Sequence, residues 1–127
     1  MISRIHSTTV IVTDQDRALD FFIDTLGFEK MADVPMGADM RWVTVRPAGS
    51  NMELALGTPS WFSGRTPGGP TGISLVSTDI DAEFAALTAK GVRFKGPVEM
   101  MPWGSKATWF SDPDGNEFFL VEETATS

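Results

Sequence analysis

The chain has no cysteine, no tyrosine and a single histidine, His6, among its 127 residues. Without cysteine there is no disulfide framework and no thiolate chemistry, and cysteine usage says nothing of redox compartment. Bases are scarce as well: 10 Lys and Arg stand against 17 Asp and Glu, giving a formal net charge of −7. Phosphate backbones and anionic membranes are poor partners for such a chain, so neither nucleic acid nor membrane is expected. No apolar run reaches the roughly 18 residues of a membrane helix. Acids interrupt "MISRIHSTTVIVTDQD" before a secretory apolar segment builds up, which makes a cytoplasmic protein the expectation. Nucleophile and phosphate motifs are missing too. No Ser stands in a G-x-S-x-G context, no Gly-rich loop follows a strand, and "GRTPGGPTG" lacks the Lys-Ser/Thr ending of a phosphate loop.

What is present is a repeat. "SRIHSTTVIVTD" is β-branched and stops at Asp14, as a strand running into a turn does. "DQDRALDFFIDTLGFEK" sets Ala18, Leu19, Phe22 and Leu26 at helical spacings and breaks at Gly27. "GFEKMADV" supplies another strand, and "MRWVTVRP" and "NMELAL" form a hairpin across "AGS". The same order returns as strand "TGISLVSTD", helix "DIDAEFAALTAKG" with Ile80, Phe84 and Leu87 on one side, and strands "VRFKGPV", "KATWFSD" and "NEFFLVE". Asp14 and Asp79, Asp16 and Asp81, and Gly27 and Gly91 keep a nearly constant offset. The 42% hydrophobic content suffices for one domain of two modules, residues 4–57 and 71–123, joined by a linker at 58–70. The fold class expected is α+β: paired β-α-β-β-β modules forming a curled, partly open mixed sheet around a cavity.

Two Gly- and Pro-flanked segments carry unexpected apolar residues. Trp61 and Phe62 sit in the linker "GTPSWFSGRTPGGP", and Met31, Met36 and Met40 in the loop "MADVPMGADM". Each set has three readings: packing beneath its own loop, a dimer contact, or the mouth of a pocket.

Several pieces together resemble a known family. They are the paired modules, a His at the start of the opening strand, "ALDFFIDTLGFE", "MEL" in the strand closing the first half, and the turn and strand "DPDGNEFFLVE". The chain resembles the vicinal oxygen chelate superfamily, which includes glyoxalase I, extradiol dioxygenases and the fosfomycin and bleomycin resistance proteins. The resemblance spans nearly the whole sequence, and the "DPDGN" turn is its most specific part. Metal-dependent members hold a divalent ion with two inward residues from each module. Matched position by position, the first module offers His6 and Glu53, whereas the second offers Gly72 or Ile73 and then Phe119.

That mismatch shapes the functional expectation, because a divalent site needs about three protein ligands or more. Glu117 shares the Phe119 face, but one strand repeat away, roughly 6–7 Å from the required position, and is the single rescue candidate. No cofactor is therefore expected, with a metal held by His6, Glu53 and Glu117 as the alternative. His6 and Glu53 are the candidate acid–base or polar-contact pair, or else a structural pair. Trp42, Trp103, Trp109, Phe119 and Trp61 are the candidate ligand-binding walls. The expected function is binding of a small, mostly apolar or aromatic molecule without a metal, with catalysis open. A metal-dependent lyase, isomerase or dioxygenase and a non-binding dimeric accessory protein are the alternatives, and the family implies a homodimer.

Overall fold

A computed structural model of the chain describes residues 1–37, 40–62 and 64–123. Ser63, within the expected linker, lies outside the described residues. The chain divides into two compact units, Met1–Pro67 and Gly68–Ser127.

In the first unit β1 (Ser7–Ile11) leads to Asp14, whose carboxylate accepts the N–H groups of Asp16 and Arg17 and caps α1 (Gln15–Leu19). The cap satisfies donors that the first helical turn leaves unpaired. The helix the sequence spacing predicts is present, but only its first half is α-helical. From Asp20 to Thr25 it widens to a π-helix, in which Leu26 donates to the Phe21 carbonyl at 3.0 Å. Gly27 ends it at φ 80°, a conformation that disfavours side chains. Then come β2 (Glu29–Pro35), β3 (Arg41–Arg46) and β4 (Glu53–Gly57). The sheet order is β1-β4-β3-β2, with β1 parallel to β4 and the other pairs antiparallel. Val10, Val43, Val45, Leu54 and Leu56 are buried together with Phe22, Ala18 and Leu19 of the helical segment. Burial of each large side chain contributes about 1.5–3 kcal/mol.

The second unit repeats the plan. β5 (Gly69–Ser77) precedes Asp79, which caps α2 (Ile80–Ala89) by accepting the Ala82 N–H, and Gly91 ends the turn at φ 89°. β6 (Arg93–Phe94), β7 (Glu99–Met100), β8 (Lys106–Ser111) and β9 (Asn116–Glu122) follow. The main order is β5-β9-β8-β6, and β7 also pairs with β8. An aromatic chain runs through the core, from Phe84 to Phe94 to Phe110 to Phe118, with centroid separations of 4.4, 6.0 and 5.4 Å.

Three expectations need correction. Among the described residues the strands make two open sheets, neither closed nor strongly curled, rather than one curled sheet around a cavity. The hydrogen-bonded ladders stop at edge strands within each unit, so a paired-module sequence is satisfied without a continuous curl. The expected linker is not wholly irregular, because Pro59–Trp61 forms a 3-10 turn and β5 already begins at Gly69. The expected strand "VRFKGPV" is reduced to two residues, with β7 as an unforeseen addition.

The "DPDGN" turn is a staple. One Asp112 carboxylate oxygen accepts the N–H groups of Asp114 and Asn116 at 3.0 and 2.8 Å, and the other accepts Asn116 Nδ2 at 2.8 Å. Asn116 Oδ1 in turn accepts the Gly68 N–H at 2.8 Å, fixing the entry to β5. Burial pushes the Asp112 carboxyl above its ordinary value, and these hydrogen bonds oppose the shift.

Candidate functional site

Strand register assigns the first sheet's two faces. Thr9 pairs with Ala55, and Ala55 with Thr44, so side-chain alternation puts Ser7, Thr9, Trp42, Thr44, Glu53, Ala55 and Gly57 on one face. Val10, Val43, Val45, Leu54 and Leu56 take the other, the buried face.

At one end of the first face stands a pair of indoles. Trp42, on β3, and Trp61, in the 3-10 turn after β4, lie 12° from parallel with centroids 5.4 Å apart. They line a pocket of about 230 Å³ with Met36, Met40, Arg41 and Phe62. Its walls are almost entirely apolar. The one charged liner, Arg41, is committed elsewhere, with Nε and Nη2 on the Asp33 oxygens at 2.7 and 2.8 Å and Nη1 on Asp16 at 2.9 Å. Those bonds raise the Arg41 guanidinium above its ordinary range and hold the Asp33 carboxyl below its own. Arg41 therefore stiffens the wall and is not an open anion site. Behind it, the Gln15 side-chain amide donates to the Arg41 and Leu56 carbonyls at 2.9 and 2.8 Å, bridging β3 and β4 from the helix.

Glu53 and Thr44 stand on the same face, together with Ser7 and Thr9. Glu53 is half-buried and pairs with Ser7 across the parallel ladder. Thr44 is fully buried, and its hydroxyl has no hydrogen-bond partner. His6 is exposed and precedes β1, and its backbone carbonyl accepts the Glu53 N–H at 3.0 Å. Because Glu53 is in register with Ser7, continued alternation turns position 6 to the opposite face. His6 and Glu53 are thus neighbours through the backbone.

The other predicted walls gather in the second unit. Phe119 is in register with Trp109, their rings 4.8 Å apart, and Trp103 meets Phe119 edge-on at 6.2 Å. Trp103 is 63% exposed and Trp109 37%. Sequence reasoning therefore picked aromatic residues that form two clusters, Trp42 with Trp61 and Trp103 with Phe119 and Trp109. It singled out Phe62, Met36 and Met40 without assigning them, and it missed Arg41, Thr44 and Gly57.

The residues do not suit the family's divalent metal. Among the described residues no group of three or more His, Asp or Glu side chains is placed to hold a metal ion. The Phe119 position, where a carboxylate is required, is an aromatic ring wedged against two indoles. Gly72 has no side chain and sits at φ 76° where the β5 ladder is irregular. Glu117 faces Lys95, its carboxylate 3.2 Å from the ammonium.

The two-module topology and the staple-and-strand ending are those of one protein class, and comparison with known proteins agrees. The family model of the Glyoxalase/Bleomycin resistance protein/Dioxygenase superfamily matches residues 4–120, and the chain belongs to that superfamily. A superfamily member from Sphaerobacter thermophilus is 59% identical with a TM-score of 0.94, over 96% of this chain and 98% of its own. TnmS3, an antibiotic binding protein from Streptomyces sp. CB03234, is 39% identical with a TM-score of 0.86, over 97% and 98%. YetH of Bacillus subtilis, whose function is uncharacterized, is 33% identical over 96% of this chain and all of its own. No helix among the described residues is long and apolar enough to cross a membrane.

Proposed function

We propose that this protein binds a flat, largely apolar small molecule against the Trp42–Trp61 pair, and that it does so without a metal. The observation that carries the reading is the pair itself: two near-parallel indoles lining an apolar pocket whose single charge is already neutralised. Aromatic faces reward an offset-stacked planar ligand by about 0.5–1.5 kcal/mol beyond its buried area. Met36 and Met40 add thioether walls that adapt to ligand shape. Glu53, on the same sheet face, is the proposed contact for a polar group of the ligand. TnmS3 lends support by likeness, being an antibiotic binding protein of the same fold at 39% identity. Sequestration of a planar antibiotic or metabolite fits the apolar pocket better than lyase or dioxygenase chemistry, which would need the second module's missing donors.

The working form proposed is a homodimer. Its support is apolar area that the single chain leaves exposed, at Val76, Met100, Trp103 and Trp109.

The test is titration of the protein with planar aromatic compounds, acridine and anthraquinones among them, followed by indole fluorescence and thermal shift. Saturation at a hundred times the dissociation constant raises apparent stability by about 2.7 kcal/mol. If no planar compound shifts the melting temperature or quenches the indoles, the reading fails.

A further inference from the structure

Gly57 closes β4 immediately before the turn that carries Trp61. Its backbone does not require glycine, since it is absent from the positive-φ glycines. In a strand, glycine forgoes packing and loses more chain entropy than any other residue, so its presence there marks a close approach. The approach is visible. A β-carbon at position 57 would stand 2.6 Å from Trp61 Cε3 and 2.7 Å from Trp61 Cδ2, with Thr9 Cγ2 at 3.2 Å. The first two distances fall well inside van der Waals contact, and a rigid indole cannot yield there as a flexible side-chain end would.

Trp61 therefore packs directly against the bare backbone of β4. Trp42 is two residues from Thr44 and Gly57 two residues from Ala55, and Thr44 pairs with Ala55. The missing side chain thus leaves a gap on the same face beside Trp42, and the Trp61 ring fills it.

We propose that Gly57 is the positioning residue of the binding site: its bare backbone is the seat that holds Trp61 parallel to Trp42, and so selects planar ligands. The proposal rests on the binding reading above and deepens it. A side chain at position 57 lifts Trp61, tilts it away from Trp42 and removes the flat surface on which a planar ligand stacks. A bulky non-planar ligand has no such dependence.

The experiment compares wild type, Gly57→Ala, Trp61→Ala and the double variant by circular dichroism and by acridine titration. The exciton signal of the indole pair is assigned as the ellipticity lost alike in Trp42→Phe and Trp61→Phe. Gly57→Ala is expected to lose that signal and to weaken acridine binding by about tenfold or more, a loss of about 1.4 kcal/mol or more. In the Trp61→Ala background the same substitution is expected to cost little further, because the indole clash is gone and only the tight contact with Thr9 Cγ2 at 3.2 Å remains. If Gly57→Ala does not fold, folding of the double variant still supports the seat, and failure of both overturns it. Retention of the exciton signal in Gly57→Ala overturns the positioning role. Loss of the signal with unchanged acridine affinity overturns the selection of planar ligands. Absence of acridine binding in wild type overturns the ligand half, whereas the ellipticity decides the seat by itself.

Discussion

Asp112 accepts two hydrogen bonds from Asn116, one from its backbone and one from its side chain, both 2.8 Å long. Both residues are almost fully buried, so the pair governs the turn before β9 and, through Gly68, the start of β5. Asn116→Ala strips a donor from Asp112 and leaves the Gly68 N–H without its acceptor. Gly68 is exposed, so water can replace that acceptor, whereas the buried Asp112 carboxylate left short of a donor costs about 1–3 kcal/mol, and chemical denaturation is expected to show a loss of that size with an unchanged slope.

The acid dependence of stability has two opposed contributions. The Asp33 carboxyl is lowered by Arg41, so its stabilising share is present above its unfolded value of 3.8 and disappears as pH falls through the folded value. The Asp112 carboxyl is raised by burial, so its share is present below the unfolded value and is lost as pH rises through the folded value. Melting temperatures measured across the carboxylate range are expected to fall less steeply on acidification in Asp33→Asn than in wild type. Asp112→Asn is expected to do the reverse. Parallel curves for all three proteins would contradict both assignments.

Thr44→Val replaces an orphaned hydroxyl with a methyl group of similar volume. Removing an unsatisfied buried polar group is expected to raise stability by about 1 kcal/mol in equilibrium unfolding. A destabilised valine variant would mean that the hydroxyl has a partner in solution.

Trp42→Ala is expected to weaken planar-ligand binding about tenfold or more, given that stacking on an aromatic side chain contributes about 1–3 kcal/mol. Trp109→Ala is expected to leave the affinity unchanged, since Trp109 belongs to the second cluster. The opposite ranking in fluorescence titrations would move the site to Trp103, Trp109 and Phe119.

Protein dialysed after purification without chelator is expected to hold far less than one divalent ion per chain by elemental analysis, and to sediment at twice 13.8 kDa at micromolar concentration. Stoichiometric retained metal would turn attention to Glu117, and a mass of one chain would remove the dimer.

The repeat was legible because its markers act locally. Asp14 and Asp79 cap helices with their own side chains, and Gly27 and Gly91 end them at positive φ, all within a few residues of chain. The π-helical turn at Asp20–Thr25 was not legible, since Phe22 packs by the same apolar spacing in either helix type. Trp42 and Trp61 were both recognised as candidate walls, but their stacking joins residues from β3 and from the turn after β4, and Gly57 read only as a strand end. His6 and Glu53 show the limit of alternation. One residue of register decides which face each takes, and His6 lies just outside the strand that would fix it. The curled sheet was inferred from the repeat, which calls for two sheets with a second face to cover but does not dictate that they join into one curl.

The edges of the two open sheets are mostly broken. Among the described residues, β2 carries a bulge between Lys30 and Ala32 and ends on Pro35, and β5 slips register between Pro70 and Ser74 around Gly72. β6 and β7 are two residues each, too short to template anything. Regular unpaired edges invite other chains to add strands, whereas prolines, bulges and stubs deny them a matching ladder. The irregularities that weaken each sheet from within thus act as insulation from without, protecting a crowded solution of identical chains against accretion into fibres. Smoothing β5, for instance by replacing Pro70 and Gly72 with β-branched residues, would trade that insulation for strand order.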